Sequence, residues 1–168
     1  MNDPVIHRVG IGTDLHRVEP GRRLVLGGVL VPFEKGLAGH SDADVVLHAL
    51  IDAICGAAGL PDIGEQFPDT DPAYRGADST KLLAAALQGV HALGYDVACV
   101  DVVIHAERPK LSPHKEPIRR RLAELLRLDA DRVSIKAKTN EGLDAVGRGE
   151  AIAATVVVGL TRREPPTA

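Results

Sequence analysis

The apolar run AIAATVVVGL at residues 151–160 restricts the fold more than any other segment. Its valines predict a β-strand, because β-branched side chains pack well on a pleated surface. Both of its sides are apolar, with Ile152 and Val156 on one and Ala153 and Val157 on the other. A strand of this kind is expected to be buried on both faces. The fold therefore has to cover both sides of the sheet that contains it.

The other predicted elements can cover only one of these two sides. Further strands are predicted at 6–16, 96–106 and 132–139, and helices at 41–59, 79–93 and about 115–127. Residues 23–31 are either the hairpin partner of the first strand or a separate extended segment, and residues 61–79 are predicted to form a long loop. We expect an α+β fold, a single domain over residues 1–168 with an ordered core at about 6–162, in which three helices pack on one face of a mixed β-sheet. Another copy of the chain is expected to bury the second face.

Composition and charge argue against several classes of protein. Lys and Arg total 20 against 23 Asp and Glu, and the net charge of −3 argues against a role on nucleic acid or a membrane surface. Aromatic residues make up only 2% of the chain, whereas nucleic-acid platforms stack bases on aromatic rings. No apolar run reaches the length of a membrane span, and the N-terminus lacks the layout of a signal peptide. Together with Cys55 and Cys99, interpreted as reduced core residues, these features predict a cytoplasmic protein.

The segment AGHSDADVVLHALIDAICGAAGL, residues 38–60, spaces polar residues at intervals of four. On a helix they form one stripe, made of His40, Asp44, His48 and Asp52. Ser41 is predicted to be the N-cap, with Asp44 completing a capping box, and Gly59 to end the helix. His40 and Ser41 would then lie at the helix start, where free N–H groups suit an anion; the alternative is a plain N-cap beside a solvated histidine.

The stretch GTDLH supplies residues of the type that bind metals. Asp14 and His16 stand two apart at the end of a predicted strand, so their side chains point to the same face. Two imidazoles and one carboxylate, here His16, His48 and Asp14, are a common ligand set for a catalytic zinc with an open position. Asp52, one turn from His48, is in position to orient an imidazole. The spacing also admits the alternative of a surface pair on a helix and a solvated strand end.

The glycine-rich segment KTNEGLDAVGRGE, residues 138–150, contains further charged side chains. Glu141 follows a predicted strand and is a candidate ligand for a hard cation such as Mg²⁺, with a solvated turn acid as the alternative. Arg148 and Glu150 are interpreted as the pair of a structural turn.

Several stretches between about Arg8 and Leu160 give the chain a family resemblance: GTDLH, GGV, HSDADVVLHALIDAICGAAGLPDIGEQFPDTDP, GADS, ERPKLSPH, KTNEGL and GRGEAIA. On these residues it resembles the 2-C-methyl-D-erythritol 2,4-cyclodiphosphate synthases of the non-mevalonate isoprenoid pathway. The resemblance implies a phosphorus–oxygen lyase that converts 4-diphosphocytidyl-2-C-methyl-D-erythritol 2-phosphate to 2-C-methyl-D-erythritol 2,4-cyclodiphosphate and releases CMP. It also implies a homotrimer with active sites between neighbouring subunits, which would bury the second sheet face.

The resemblance further implies which residues form the site. Zn²⁺ or another divalent transition metal would be held by Asp14, His16 and His48, and Mg²⁺ or Mn²⁺ by Glu141. The catalytic groups at the phosphates would be His40 and Thr139. The other substrate contacts would be Ser41 and Lys138 at the phosphates, Asp62, Ile63 and Gly64 at the erythritol or ribose, Phe67, Pro68, Asp69, Thr70 and Asp71 in a mobile loop, Ala106, Pro109, Lys110 and Leu111 at the cytosine, and Asn140 and Arg148.

Two departures from the family pattern and two other functions stay open. Lys138 and Asn140 flank Thr139 where the family has a run of threonines, and Ala145 replaces an aromatic residue that borders a cavity along the trimer axis, which in relatives sometimes holds an isoprenoid diphosphate. One other function is a zinc-dependent phosphohydrolase that activates water at the metal. The second is a non-enzymatic trimeric module with a structural zinc. Its fourth ligand would come from His105 or His114.

Overall fold

A computed structural model describes residues 4–74 and 76–163. Its strands are β1 (Arg8–Pro20), β2 (Leu24–Leu26), β3 (Val29–Val31), β4 (Lys35–Leu37), β5 (Tyr95–His105), β6 (Val133–Lys138) and β7 (Ala151–Arg162). Its α-helices are α1 (Val45–Ala58), α2 (Ile63–Gln66), α3 (Ser79–Ala92), α4 (Lys115–Leu126) and α5 (Asp144–Gly147). Within these residues no helix combines the length and the apolar character needed to cross a bilayer.

The strands form a mixed sheet, as the sequence predicts. In the described part of the chain its five strands follow the order β4–β1–β7–β5–β6. β7 pairs antiparallel with both β1 and β5, and β5 pairs parallel with β6. A parallel pair needs a long crossover, and α4 lies within it. The apolar strand β7 is thus the central strand of the sheet.

The three long helices cover one face of this sheet, and the other face is open in the single chain. α1 packs on β1 and β7, α3 on α1 and β5, and α4 on β6. Val156 of β7 is 0% exposed on the helix side. On the opposite side Val157 is 39% exposed, and Ile11 and Leu15 of β1 are 65% and 58% exposed. One chain therefore buries only one of the two apolar sides of β7.

Helix α1 lies directly against strand β1 because two glycines leave no side chain between them. A Cβ atom at Gly12 would stand 2.0 Å from the carbonyl oxygen of Ala49, and a Cβ atom at Gly10 would stand 2.0 Å from that of Ala53. Backbone atoms cannot move aside as a flexible side chain does, so a larger residue at either position would push the helix away. The close approach sets the polar end of β1 beside the first turn of α1.

Residues 23–31 form neither a partner of β1 nor one extended segment, so both sequence-based interpretations are wrong. β2 and β3 pair with each other, and the turn between them contains Gly27 and Gly28. The φ angles of these glycines are +60° and +74°. Two successive residues with positive φ make the tight turn that suits a two-residue hairpin loop. The strand that pairs with the end of β1 is β4.

Helix α1 begins later than its sequence pattern predicts. Asp44, not Ser41, is the N-cap, and its Oδ1 accepts the N–H groups of Val46 and Leu47 at 3.1 Å. His40 and Ser41 lie in the preceding loop. The predicted stripe is therefore broken, since only its last two members belong to the helix.

Two smaller expectations also need correction. The predicted loop at 61–79 contains α2 and a 3₁₀ turn at Pro72–Tyr74. Cys55 is buried, but Cys99 is exposed. A register shift in β5 between Val97 and Cys99 reverses the alternation of its side chains, which places Cys99 outside the core.

Replacing Asp44 with alanine is expected to lower the free energy of unfolding by about 3 kcal/mol. The carboxylate is 0% exposed, and it accepts the N–H groups of Gly27 and Gly28 as well as those of Val46 and Leu47, which ties the β2–β3 turn to the start of α1. Alanine leaves these donors without an acceptor, and a buried donor without a partner costs about 1–3 kcal/mol. Urea unfolding followed by circular dichroism measures the change.

Asp78→Ala is the matched control for this prediction. Asp78 caps α3 through the N–H of Thr80 from an exposed position. Its loss should cost only about 1 kcal/mol, because water can replace the cap. Equal losses in the two variants would contradict the contribution that we assign to burial of Asp44.

Candidate metal and phosphate site

Asp14, His16 and His48 meet where β1 passes the first turn of α1. The Oδ2 atom of Asp14 lies 2.8 Å from Nε2 of His16 and 3.0 Å from Nδ1 of His48. The two ring nitrogens are 3.1 Å apart. Asp14 and His16 point to the helix-covered side because they alternate with the outward-facing Leu15. The structure thus brings together the predicted carboxylate and both imidazoles.

Each imidazole uses its other nitrogen to hold its orientation. Nδ1 of His16 lies 2.6 Å from the carbonyl oxygen of Ala38. A carbonyl only accepts, so this nitrogen carries the hydrogen, and in the neutral ring Nε2 presents a lone pair to the cluster. Nε2 of His48 lies 3.1 Å from Oγ of Ser41 and 3.0 Å from Oγ of Ser79. Outer contacts of this kind are typical of metal-binding histidines.

Asp52 does not orient His48, contrary to the sequence-based interpretation. Its Oδ1 instead accepts the N–H of Ile63 at 2.8 Å and ties the start of α2 to α1. Burial raises the pKa of Asp52. The actual partners of His48, Ser41 and Ser79, lie outside α1, so spacing along one helix does not reveal them.

The charges of the cluster favour a bound cation. Burial opposes ionisation of Asp14, but the adjacent imidazoles of His16 and His48, at 2.8 and 3.0 Å, outweigh burial and hold the pKa of the carboxyl well below its usual range. Burial also disfavours charged His16, but the hydrogen bond with Asp14 outweighs it and raises the pKa of that imidazole. A carboxylate between two imidazoles attracts positive charge, which a proton or a divalent metal ion can supply.

The donor set and its spacing fit a divalent transition metal. Tetrahedral nitrogen and oxygen ligands about 2.0–2.1 Å from zinc stand about 3.3 Å from one another. The donor atoms here stand 2.8, 3.0 and 3.1 Å apart, so small side-chain movements would admit the ion. Over residues 4–74 and 76–163, no fourth carboxylate, thiol or imidazole joins the group, and neither His105 nor His114 belongs to it. The described residues therefore leave a fourth position open, which a closed structural zinc would not.

A cleft of about 870 Å³ lies beside the metal ligands. Its lining includes His40 and Ser41 together with Asp69, Thr70 and Asp71. The contact between Ser41 and Nε2 of His48 connects this cleft with the metal cluster. The residues that the resemblance assigns to phosphate and to a mobile loop are therefore neighbours.

Two N–H groups in the first turn of α1 are not available to an anion, although the sequence-based interpretation assigned an anion to this end of the helix. The Asp44 carboxylate already accepts those of Val46 and Leu47. The cleft instead contains a cation that sequence reasoning missed, Arg22. Its guanidinium donates to the carbonyl oxygens on both sides of His40, those of Gly39 and Ser41, at 3.1 Å each. The two arginines of the segment EPGRR, residues 19–23, are the only sequence signal for this cation. The sequence does not show that Arg22 lies at the cleft, because the fold brings it there.

The segment predicted to contact the sugar, Asp62–Gly64, leads directly into the predicted mobile loop, Phe67–Asp71. Asp62 is the N-cap of α2 and accepts the N–H of Glu65 at 2.9 Å, and Ile63 and Gly64 form the first residues of the helix. Phe67 ends it, and its ring packs edge-on against Tyr74 with the ring centres 5.5 Å apart. Pro68 accepts the N–H of Asp71 at 3.0 Å. The loop is thus held by the packing of Phe67 and by an internal turn from Pro68 to Asp71.

A second group of predicted residues lies at the end of the parallel strands β5 and β6. The N–H of Ala106 donates to the carbonyl oxygen of Lys138 at 2.9 Å. Oγ1 of Thr139 donates to Oε1 of Glu141 at 3.1 Å. The segment assigned to cytosine, which continues to Leu111, is therefore adjacent to the segment assigned to Mg²⁺.

In one chain the two groups are far apart. The register places Asp14 opposite Ala154, Ala154 opposite Ile104, and Ile104 opposite Ala137, next to Lys138. At about 4.8 Å per strand, these three steps separate the backbone of Asp14 from that of Ala137, beside Lys138, by roughly 14 Å.

Arg148 belongs to neither group. It donates to Glu150 at 3.1 and 3.0 Å, which is the structural pair that the sequence suggested. It lines a separate cavity of about 500 Å³ together with Arg17, Lys35 and Ala145.

Comparisons with known proteins agree over nearly the full chain. A model of the YgbB family matches residues 7–161. A 2-C-methyl-D-erythritol 2,4-cyclodiphosphate synthase from Bordetella pertussis is 56% identical over 162 residues, which are 96% of this chain and 99% of the relative. A structure of 2C-methyl-D-erythritol-2,4-cyclodiphosphate synthase in a CDP-bound form has a TM-score of 0.85 and 44% identity, covering 91% of this chain and 99% of the other. The bifunctional IspDF of Campylobacter jejuni has a TM-score of 0.90 and 40% identity over 94% of this chain, which spans only 42% of that longer protein.

Proposed function

The chain belongs to the YgbB family, and on this premise we propose that it is a cyclodiphosphate synthase of isoprenoid biosynthesis. It converts 4-diphosphocytidyl-2-C-methyl-D-erythritol 2-phosphate to 2-C-methyl-D-erythritol 2,4-cyclodiphosphate and CMP. The observation that carries the proposal is the cluster of Asp14, His16 and His48, which has an open fourth position and lies beside the cleft of His40 and Ser41.

The reaction joins two ends of one molecule. An oxygen of the 2-phosphate attacks the β-phosphorus, the bond from that phosphorus to the oxygen of the α-phosphate breaks, and CMP leaves with that oxygen. The attacking phosphate is already an anion, so the reaction needs neither a protein nucleophile nor water. The barrier is largely electrostatic, since like unit charges about 4 Å apart repel by roughly 4 kcal/mol at an effective dielectric constant near 20. Catalysis then consists of positioning and charge stabilisation.

The metal ligands would hold the cations that offset the repulsion between the phosphates. Asp14, His16 and His48 would hold the transition metal, which we propose to be zinc, and Glu141 would hold Mg²⁺ or Mn²⁺. When bound, the two cations supply positive charge to the α- and β-phosphates. Coordination needs Asp14 as the ionised carboxylate, and a bound cation itself favours that form.

The cleft residues bring the reacting groups together. We assign His40, Ser41 and the Arg22 cation to phosphate oxygens, because they line the cleft next to the metal cluster. Thr139, which belongs to the second group of residues, binds a phosphate oxygen as well. The segment Asp69–Asp71 of the same cleft would close on the methylerythritol portion and exclude water, which otherwise hydrolyses the diphosphate.

We further propose that the active sites lie between subunits of a homotrimer. The roughly 14 Å between the backbones that carry Asp14 and Lys138 in one chain is too far for a single diphosphate to reach both. A neighbouring copy would bring Lys138–Glu141 to the metal cluster, together with the backbone of Ala106–Leu111 for the cytosine. The apolar open face of β1 and β7 is a surface on which copies can meet.

Ile11→Asp is expected to dissociate this trimer and to abolish activity. Ile11 is 65% exposed on the open face, and an unpaired carboxylate buried in an interface costs several kcal/mol. Sedimentation should show a trimer for the wild-type protein and a monomer for the variant. Leu93→Asp is the matched control, because Leu93 is 51% exposed at the end of α3, away from that face. If the Ile11→Asp variant stays trimeric, the open face of β1 and β7 is not the subunit interface.

Product analysis tests the function itself. The protein is incubated with the cytidyl substrate, Zn²⁺ and Mg²⁺ in water enriched in heavy oxygen, and phosphorus NMR and mass spectrometry follow the products. We expect equal amounts of cyclic diphosphate and CMP, both free of label. Labelled, linear products would indicate the zinc-dependent phosphohydrolase instead.

A further inference from the structure

Two polar side chains that are not metal ligands form a hydrogen-bonded series with His48: Ser79 contacts His48, and Asp42 contacts Ser79. Oγ of Ser79 lies 3.0 Å from Nε2 of His48, and it donates its hydrogen to Oδ1 of Asp42. The N–H of Ser79 donates to Oδ2 of the same carboxylate at 3.1 Å. Ser79 is 0% exposed. The proposed reaction gives no role to either residue, although both stand in distinctive stretches of the sequence, GADS and HSD.

The hydrogens in this series have one consistent arrangement. As a carboxylate, Asp42 accepts and does not donate, so the hydrogen in its contact with Ser79 is that of the hydroxyl group. Ser79 then offers only lone pairs to His48, and Nε2 of His48 is the donor. A neutral imidazole carries one hydrogen, so Nδ1 of His48 keeps a lone pair. That lone pair is directed at Asp14 and His16.

We propose that Ser79 and Asp42 are positioning residues, which fix the tautomer of His48 whose Nδ1 is free to bind the metal. The inference rests on the metal site of the proposed function and deepens it. In the opposite tautomer an N–H at Nδ1 would point into the place of the ion and prevent ligation. Outer partners that fix a histidine in this way typically change metal affinity by about 10- to 100-fold.

Ser41 differs from Ser79 although both hydroxyl groups lie near the same nitrogen. Oγ of Ser41 is 3.1 Å from Nε2 of His48 and accepts the N–H of Ala43 at 3.1 Å. Neither contact directs the hydroxyl hydrogen of Ser41 to a carboxylate, and Ser41 lines the cleft. Ser79 therefore orients the imidazole, and the hydroxyl group of Ser41 remains a donor for a phosphate oxygen.

The test compares Ser79→Ala and Asp42→Asn with the wild-type protein. Alanine removes the acceptor that Ser79 offers to His48. Asparagine reverses the series, because its amide N–H can donate to Oγ of Ser79 while its amide oxygen accepts the Ser79 N–H. The Ser79 hydroxyl group is then free to donate to Nε2 of His48. Ser134→Ala is the matched control, since Ser134 is an exposed serine of β6.

Two measurements separate positioning from a merely structural role. Zinc titration of the metal-free protein should show about 10- to 100-fold weaker binding in both variants and unchanged binding in the control. Nitrogen NMR of labelled histidine, at a pH where the imidazoles are neutral, should show an Nε2–H group on His48 in the wild-type protein. In Asp42→Asn the signal of an Nδ1–H group should appear.

Unchanged zinc affinity, or an unchanged His48 tautomer in Asp42→Asn, would overturn the proposal. If Ser79→Ala fails to fold, Asp42→Asn decides alone, since it preserves the size of the side chain. Failure of the proposed function has a different signature. Wild-type protein that shows the expected tautomer and binds zinc, but forms no cyclic product, would refute the reaction and leave the positioning role intact.

Discussion

Replacing His48 with alanine is expected to remove the bound transition metal and to lower kcat by about a thousandfold or more. The variant keeps only Asp14 and His16 as ligands, and two donors do not hold a zinc ion against dialysis. A metal at a developing phosphate charge contributes several kcal/mol, and each 1.36 kcal/mol corresponds to about a tenfold change in rate. Elemental analysis after dialysis measures the metal, and release of CMP measures kcat.

The fold should survive this change, which makes the result interpretable. Alanine has the highest helix propensity, so α1 should form and the trimer should remain. His91→Ala is the matched control, because His91 pairs with Asp96 at 3.2 Å outside the cluster. The control should retain metal content and kcat. A His48→Ala variant with full activity and no stoichiometric metal would refute the metal role of the cluster.

Glu141→Gln is expected to raise the Mg²⁺ concentration for half-maximal activity by about tenfold or more, with zinc content unchanged. Hard cations such as Mg²⁺ prefer anionic oxygen ligands, and glutamine keeps the shape of the side chain but removes its charge. The Thr139 hydroxyl group, which donates to Oε1 of Glu141 at 3.1 Å, orients the carboxylate in the native chain. Activity titrated with Mg²⁺ at saturating zinc measures the shift.

Glu124→Gln is the matched control for the Mg²⁺ titration. Glu124 lies on α4, where it pairs with Arg121 at 2.7 Å, and it belongs to neither residue group of the site. Its neutralisation should leave the Mg²⁺ requirement unchanged. An unchanged Mg²⁺ requirement in Glu141→Gln would discard Glu141 as a ligand, and a loss of zinc in that variant would show that the two cation sites are not independent.

Much of the fold could be predicted because its signals are local. The apolar run at 151–160 forms a strand and Gly59 ends α1, as predicted; the structure adds that this strand, β7, is central and that Gly59 is left-handed. Hydrophobic periodicity and helix-ending residues act over a few positions, so the sequence contains them directly. The resemblance to the synthase family was likewise visible in short stretches and is confirmed by the family match.

The start of α1 could not be predicted, because two residues of capping type compete there. Ser41 and Asp44 both suit an N-cap position. Asp44 takes that position, and its carboxylate also accepts the N–H groups of Gly27 and Gly28 from another element. The N-cap residue of α1 is therefore the one that also binds a turn distant in the chain. No sequence pattern within the helix contains that information.

The sequence by itself determined the order of the long strands and helices, the kinds of ligand and the family. Only the tertiary structure decided which groups orient those ligands: Ser79 stands 31 positions from His48 in the chain, and Arg22 stands 19 positions from Ser41. The physical reason is that spacing within one element is a local property, whereas a hydrogen bond between elements depends on how closely they pack. Here Gly10 and Gly12 let α1 rest on β1, and that approach places His48 against Asp14 and His16.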